Sequence, residues 1–105
     1  MKNLEKNNKL YCCIWDIKDL DNNRVVIDLE ISDSDTIIDN YMVELNLTKM
    51  GLEQDDEFGD ELCYDIERFI NDYYMDYKNI PTIEQIKDKM ESVNWLETKL
   101  WLERG

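Results

Sequence analysis

Residues 24–31, RVVIDLEI, alternate without a break. Val25, Ile27, Leu29 and Ile31 fall on one side, and Val26, Asp28 and Glu30 on the other. A two-residue period with one apolar side describes a half-buried strand. Residues 10–17, LYCCIWDI, are aromatic and apolar and read as a strand. The turn cluster Asp19-Leu20-Asp21-Asn22-Asn23 joins the two as a hairpin. After a second turn at Ser32-Asp33-Ser34-Asp35, Tyr41, Val43, Leu45 and Leu47 alternate with Met42, Glu44 and Asn46. This third strand completes an antiparallel meander with one wet face.

The period then lengthens. Within 57–78, Phe58, Leu62, Ile66, Phe69, Ile70, Tyr73 and Tyr77 recur at spacings of three and four, the stripe of an amphipathic helix. Gly59 weakens its first turn, Asn79 ends it and Pro81 stops it. Thr82 and Gln85 have the spacing of a capping box. A second helix follows, with Ile83, Ile86, Met90, Val93, Leu100 and Trp101 on one face. Trp95 and Leu102 fall off that stripe, so either the helix breaks near Ser92–Asn94 or they mark a second contact surface. The expected fold is α+β: a three-stranded antiparallel β-sheet (meander) followed by two α-helices packed on one face. A chain of 105 residues is expected to form a single domain over 1–105, with 1–9 flexible, 10–47 the meander and 55–102 the helical part.

Charge changes the picture. The chain carries 25 acids against 12 bases, a formal net charge of −13. The ends are net positive or neutral, and the excess lies in 16–76, where only Lys18, Arg24, Lys49 and Arg68 are basic. With 43% apolar residues the chain is too hydrophobic for a disordered acidic tail. A concentrated anionic surface seeks a strongly basic partner surface, and many such surfaces belong to proteins that bind nucleic acid. No direct nucleic-acid binding is expected. The start, MKNLEKNNK, has no apolar run of the signal-peptide kind, and no stretch approaches a membrane span. Three cysteines, two of them adjacent, fit reduced thiols in a cytosolic chain.

Motifs for catalysis or ligation are missing. The chain has no histidine, no glycine-rich phosphate loop and no CxxC. Asp33-Ser34-Asp35 opens like a calcium loop, but Ile38 stands where glycine is needed and Glu44 falls in a strand. A glycosidase-like carboxylate pair is uninformative among so many acids. The expectation is a protein that is not an enzyme, with no cofactor and no metal.

Candidate chemistry therefore rests on the acidic helix. Residues 53–76 hold ten acids against Arg68 alone. If helical throughout, they span about 36 Å, one carboxylate per ~3.6 Å. One strand of duplex DNA offers a phosphate about every 3.4 Å of axis. Glu57, Glu61, Asp65, Asp72 and Asp76 fall on one flank of the apolar stripe. Tyr64 and Met75 lie on the side away from the core, with Tyr74 at the stripe's edge. Stacked acids at i,i+4 cost helix stability, and exposed Tyr and Met amid charge have the character of interface anchors. A second acid cluster comprises Asp16, Asp19, Asp21, Asp28, Glu30, Asp33, Asp35 and Asp39. For it, turn formation is as good an explanation as binding.

The segment Asp65-Ile66-Glu67-Arg68-Phe69-Ile70, the Tyr-rich stretch after it, and Lys89-Met90-Glu91-Ser92-Val93 resemble the helical half of a type II-A anti-CRISPR protein. More broadly, the chain is similar to the small acidic phage-encoded anti-CRISPR proteins that inhibit Cas9. The likeness covers roughly a third of the chain. The N-terminal helix of that inhibitor has no counterpart in residues 1–9. The resemblance implies a DNA mimic that occupies the PAM-reading groove of a CRISPR effector in the host bacterial cytoplasm, encoded by a phage or mobile element, and acting as a monomer or dimer. Asp60, Glu61, Asp65, Asp72 and Asp76 would then stand in for phosphates or base edges, with Tyr64, Tyr74 and Met75 as anchors. Two alternatives share the charge: an immunity protein or antitoxin for a cognate nuclease, and an anti-restriction DNA mimic. A third is an assembly protein that self-associates through Trp95, Trp101 and Leu102.

Overall fold

The computed structural model describes residues 9–93. Three strands, β1 (Tyr11–Leu20), β2 (Arg24–Ser32) and β3 (Ile37–Asn46), form one open antiparallel sheet in the order β1-β2-β3. A single helical turn, α1 (Leu47–Met50), precedes two longer helices, α2 (Gly59–Tyr77) and α3 (Ile83–Ser92). The α+β meander-then-helices architecture read from the periodicity is the observed one. Nothing among the described residues is long and apolar enough to cross a membrane as a helix.

The alternating set of β2 is the centre of the core: Val25, Ile27, Leu29 and Ile31 are fully buried, beside Val43 and Leu45 of β3. α2 lies over β1 and α3 beside β3, and together they cover this one face. α2 contributes Leu62, Ile66 and Ile70, and α3 contributes Ile86 and Met90. Replacing one of these isoleucines by alanine should cost about 2–5 kcal/mol.

β1 contains a bulge. Ile14 pairs with Leu29, but the next pair is Asp16 with Asp28, so Trp15 is an extra residue. The extra residue lets both Ile14 and Ile17, three positions apart, turn towards the core. Strict alternation past Ile14 would instead carry Asp16 and Lys18 inward. The first hairpin closes on Asn22 and Asn23, both left-handed at φ 64 and 55, a region asparagine tolerates better than most residues. Asn23 Nδ2 then donates to the Leu52 carbonyl at 2.8 Å. Gln54 Nε2 donates to the carbonyls of Leu20 (2.6 Å) and Arg24 (2.9 Å), fixing the following segment to this turn.

Several boundaries differ from the periodic reading. Leu47 opens α1 rather than closing β3, because the Asn46 side chain caps Lys49 N–H and Gly51 ends the turn in the left-handed region at φ 77. α2 starts at Gly59, not 57, and its acidic approach, residues 53–58, is not helical. Lys78, at φ 61, ends α2 ahead of Asn79. The capping box is present: Gln85 N–H donates to Thr82 Oγ1 at 3.2 Å and Thr82 N–H to Gln85 Oε1 at 2.8 Å. α3 ends at Ser92 with Val93 extended, the first of the two options open for the 92–94 region. The expectations for residues 1–8 and for Trp95, Leu100, Trp101 and Leu102 lie outside the described residues.

Candidate functional site

On α2, residues advance about 100° each, so Glu61, Asp65, Asp72 and Asp76 fall within about 60° of one another. Asp72 and Asp76 are exposed, while Glu61 and Asp65 are half-buried. Glu57 is exposed but precedes the helix, so it leaves the stripe. With the helix confined to Gly59–Tyr77, the span is about 28 Å rather than 36 Å. The carboxylate-per-phosphate match is therefore lost. What survives is an axial spacing of about 6, 10.5 and 6 Å between successive stripe acids. Those intervals correspond to about two, three and two phosphate steps of one DNA strand.

The four ion pairs among the described residues involve other acids. Lys9 pairs with Glu67 (4.0 Å), Arg24 with Glu44, and Lys49 and Lys87 both with Glu91 (3.7 and 2.7 Å). None of Glu57, Asp60, Glu61, Asp65, Asp72 and Asp76 takes part in them. Glu67 turns the other way and accepts from Cys12 N–H at 2.8 Å. Partial burial raises the Asp65 carboxyl above its usual value; nearby Arg68 opposes the shift and Glu61 adds to it. The helix dipole accounts for Asp60 and Glu61 in the first turn, and no base occupies the last turn. Asp76 therefore sits at the end where a negative charge is unfavourable.

Two hollows flank the stripe. One, of about 530 Å³ at the start of α2, is lined by Asp19, Asp56, Glu57, Asp60 and Glu61 and by no base. It joins Asp19 of the turn cluster to the helix acids, which the linear sequence keeps apart. The other, of about 420 Å³ between α2 and α3, sets Asp65 and Asp72 opposite Lys89. The stripe is thus not free of basic neighbours, since Arg68 and Lys89 line the same hollow and Arg68 acts on the Asp65 carboxyl.

Of the three anchors, Tyr64 and Met75 are 64% and 71% exposed. Tyr74 is half-buried and packs against the core, which limits it to a rim contact. Tyr77, expected on the core stripe, is instead exposed. It is the last residue of α2, and its ring leans on Tyr73 at 4.5 Å between centroids.

Much of the second acid cluster is engaged locally. Asp33 Oδ1 accepts from Thr36 N–H and Asp35 N–H, both at 2.8 Å, and these bonds hold its carboxyl below the usual range. Asp28 accepts from Asn40 Nδ2 and Glu30 from Trp15 Nε1, each at 2.8 Å. The turn explanation holds for Asp33, and the sheet's own contacts account for Asp28 and Glu30.

Sequence reasoning missed the outer sheet face. There Trp15, on its bulge, is 66% exposed and Met42 is 54% exposed. The signal was present in the three-residue step from Ile14 to Ile17. Of the cysteines, Cys12 is half-buried and Cys13 exposed. Burial, with Glu67 close by, pushes the Cys12 thiol up to about 12, so it is no nucleophile at neutral pH. Among the described residues no three of His, Cys, Asp and Glu converge as metal ligands.

Comparison of the chain with protein-family models, curated proteins and solved structures finds no match.

Proposed function

We propose that this chain is a non-enzymatic inhibitor that docks the α2 acid stripe on the basic DNA-binding surface of a nuclease. The target is a nucleic-acid-targeting enzyme, a Cas9-type CRISPR effector being the one implied by the resemblance, and the inhibitor excludes its DNA. The observation that carries the reading is the set Glu61, Asp65, Asp72 and Asp76: acids on one flank of one helix, outside every described ion pair, beside exposed Tyr64 and Met75. Its like-charge i,i+4 pairs, Glu61 with Asp65 and Asp72 with Asp76, repel in the free protein, and docking on a basic surface would turn that repulsion into attraction.

The chemistry is ion-pair recognition. Partner arginines present forked N–H donors that two carboxylate oxygens accept together. Effectors of the Cas9 type read their PAM with arginines and hold DNA in a basic channel. Carboxylates at two- and three-phosphate intervals would occupy those donors. Tyr64 and Met75, one near each end of the stripe, would supply apolar anchoring, while the net charge steers encounter. The protein acts, in this reading, in a bacterial cytoplasm as a phage-encoded anti-defence factor.

The test is a cleavage assay with guide-loaded Cas9, adding the protein before or after target DNA. Inhibition only when it is added first supports competition for the DNA groove. Equal inhibition in either order contradicts DNA mimicry. No inhibition in either order removes this target and brings forward a cognate nuclease toxin.

A further inference from the structure

The open sheet has two free edges, and the fold treats them differently. Along the start of β1, α2 side chains bridge the main chain. Asn71 Oδ1 accepts from Leu10 N–H at 2.8 Å, and its Nδ2 donates to the Leu10 carbonyl at 3.0 Å. Glu67 accepts from Cys12 N–H at 2.8 Å, and Cys63 Sγ donates to the Cys12 carbonyl at 3.4 Å.

On β3 the alternation of antiparallel bonding decides which groups point outward. Leu47 N–H donates to the Asn23 carbonyl at 3.0 Å. Counting back by twos along the register makes Leu45, Val43 and Tyr41 the residues bonded to β2. The main-chain groups of Asn46, Glu44, Met42 and Asn40 therefore face away from the sheet. Helix α3 occupies the far end: Glu91 accepts from Asn46 N–H at 2.7 Å and Lys87 Nζ donates to the Glu44 carbonyl at 3.1 Å. Asn40 N–H is turned onto the side chain of Asp39 at 2.9 Å. The Asn40 carbonyl, both groups of Met42 and Glu44 N–H have no such bridge among the described residues.

We infer that this stretch of β3 is a strand-docking edge, and that its occupant is an extended basic segment of another protein. The usual guards of an edge, lysine or proline, are absent between Ile37 and Asn46; the bulge at Ile38 lies before the open stretch. Ile37, Ile38 and Met42 are 64%, 42% and 54% exposed, so apolar side chains already line the edge. Charge selects the occupant. Residues 25–48 carry six acids and no base; Glu44 is paired with Arg24, and Asp28, Glu30 and Asp39, beside the open stretch, take part in none of the described ion pairs. A second copy pairing β3 against β3 would bring like charges together, whereas a strand alternating apolar and basic residues would set its bases against these acids. The inference stands on the edge's own groups and not on α2.

The experiment uses a labelled, end-blocked peptide alternating valine and lysine. A control peptide is N-methylated at the amides that would pair. Anisotropy reads affinity for the full chain, and hydrogen exchange reads the amides of Met42 and Glu44. The expected result is binding by the first peptide that slows exchange at both amides. The methylated peptide should bind at least about tenfold more weakly, the scale of one or two lost main-chain bonds. Met42→Pro, which removes an outward N–H that β2 does not use, should weaken binding as much, while Met42→Ala keeps it. Equal binding of the methylated peptide to the unaltered protein would overturn the inference, because charge alone would then suffice. Exchange slowed only on α2 would also overturn it. So would a concentration-dependent dimer abolished by Met42→Pro, which would make the occupant a second copy.

Discussion

Asp76 and Glu91 show two opposite uses of a carboxylate in one small protein. Asp76 is exposed near the C-terminal end of α2, where the helix dipole disfavours it. Asp76→Asn should therefore stabilise the free protein by about 0.3–1 kcal/mol, read by urea denaturation, while weakening partner binding. Loss of stability in this variant would refute the idea that the acid is kept for binding. Glu91 is a structural group with a side chain only 7% exposed. Its burial alone would raise its pKa, but the Lys87 hydrogen bond, Asn46 N–H and the charges of Lys87 and Lys49 outweigh that and lower it. A lowered folded pKa means that its stabilisation is fully present above the unfolded value, about 4.3, and is lost as pH falls through the folded one. Glu91→Gln should cost about 1–3 kcal/mol at neutral pH. The gap from wild type should close as the solution is acidified below about pH 4. A gap that stays constant into acid would contradict this role.

At the scale of elements, the bulge in β1 is the device that separates core from surface. The pairs on either side, Ile14 with Leu29 and Asp16 with Asp28, are in register without Trp15. Deleting Trp15 should thus heal the strand and leave the fold intact, with stability changed by no more than about 1 kcal/mol. Deleting Ile17 instead forces Lys18 or Asp16 inward and should abolish cooperative thermal unfolding. Similar behaviour of the two deletions would contradict the register. The same strand marks the limit of what periodicity makes legible. β2, α2 and the Thr82–Gln85 box follow from local pattern, because their apolar spacing or cap chemistry is complete within a few residues. The α1 turn, the early end of β3 and the non-helical run before Gly59 depend on Asn46, Gly51 and the long-range clamps of Asn23 and Gln54. No short-range period reports those. The stripe acids Glu61, Asp65, Asp72 and Asp76 were legible for the same reason α2 was. Glu57 and Tyr77 were misplaced because a helical wheel is blind to where the helix begins and ends.

For the whole molecule, the net charge of −13 acts on folding and binding with opposite sign. Self-repulsion weakens the compact state, and salt screens it over a Debye length of about 10 Å at 0.1 M. The denaturation midpoint should rise with sodium chloride, whereas affinity for a basic partner should fall. A midpoint that falls with salt would mean that attractive pairs outweigh the repulsion. DNA mimicry by the α2 stripe is tested by comparing the wild type with an Asp65→Lys, Asp72→Lys, Asp76→Lys variant in the guide-loaded Cas9 cleavage assay. Circular dichroism of the variant establishes that it is folded. The wild type should inhibit, and the folded variant should lose at least about tenfold in potency. A folded variant that inhibits as well as the wild type would contradict the assignment of the α2 stripe as the DNA-mimicking surface.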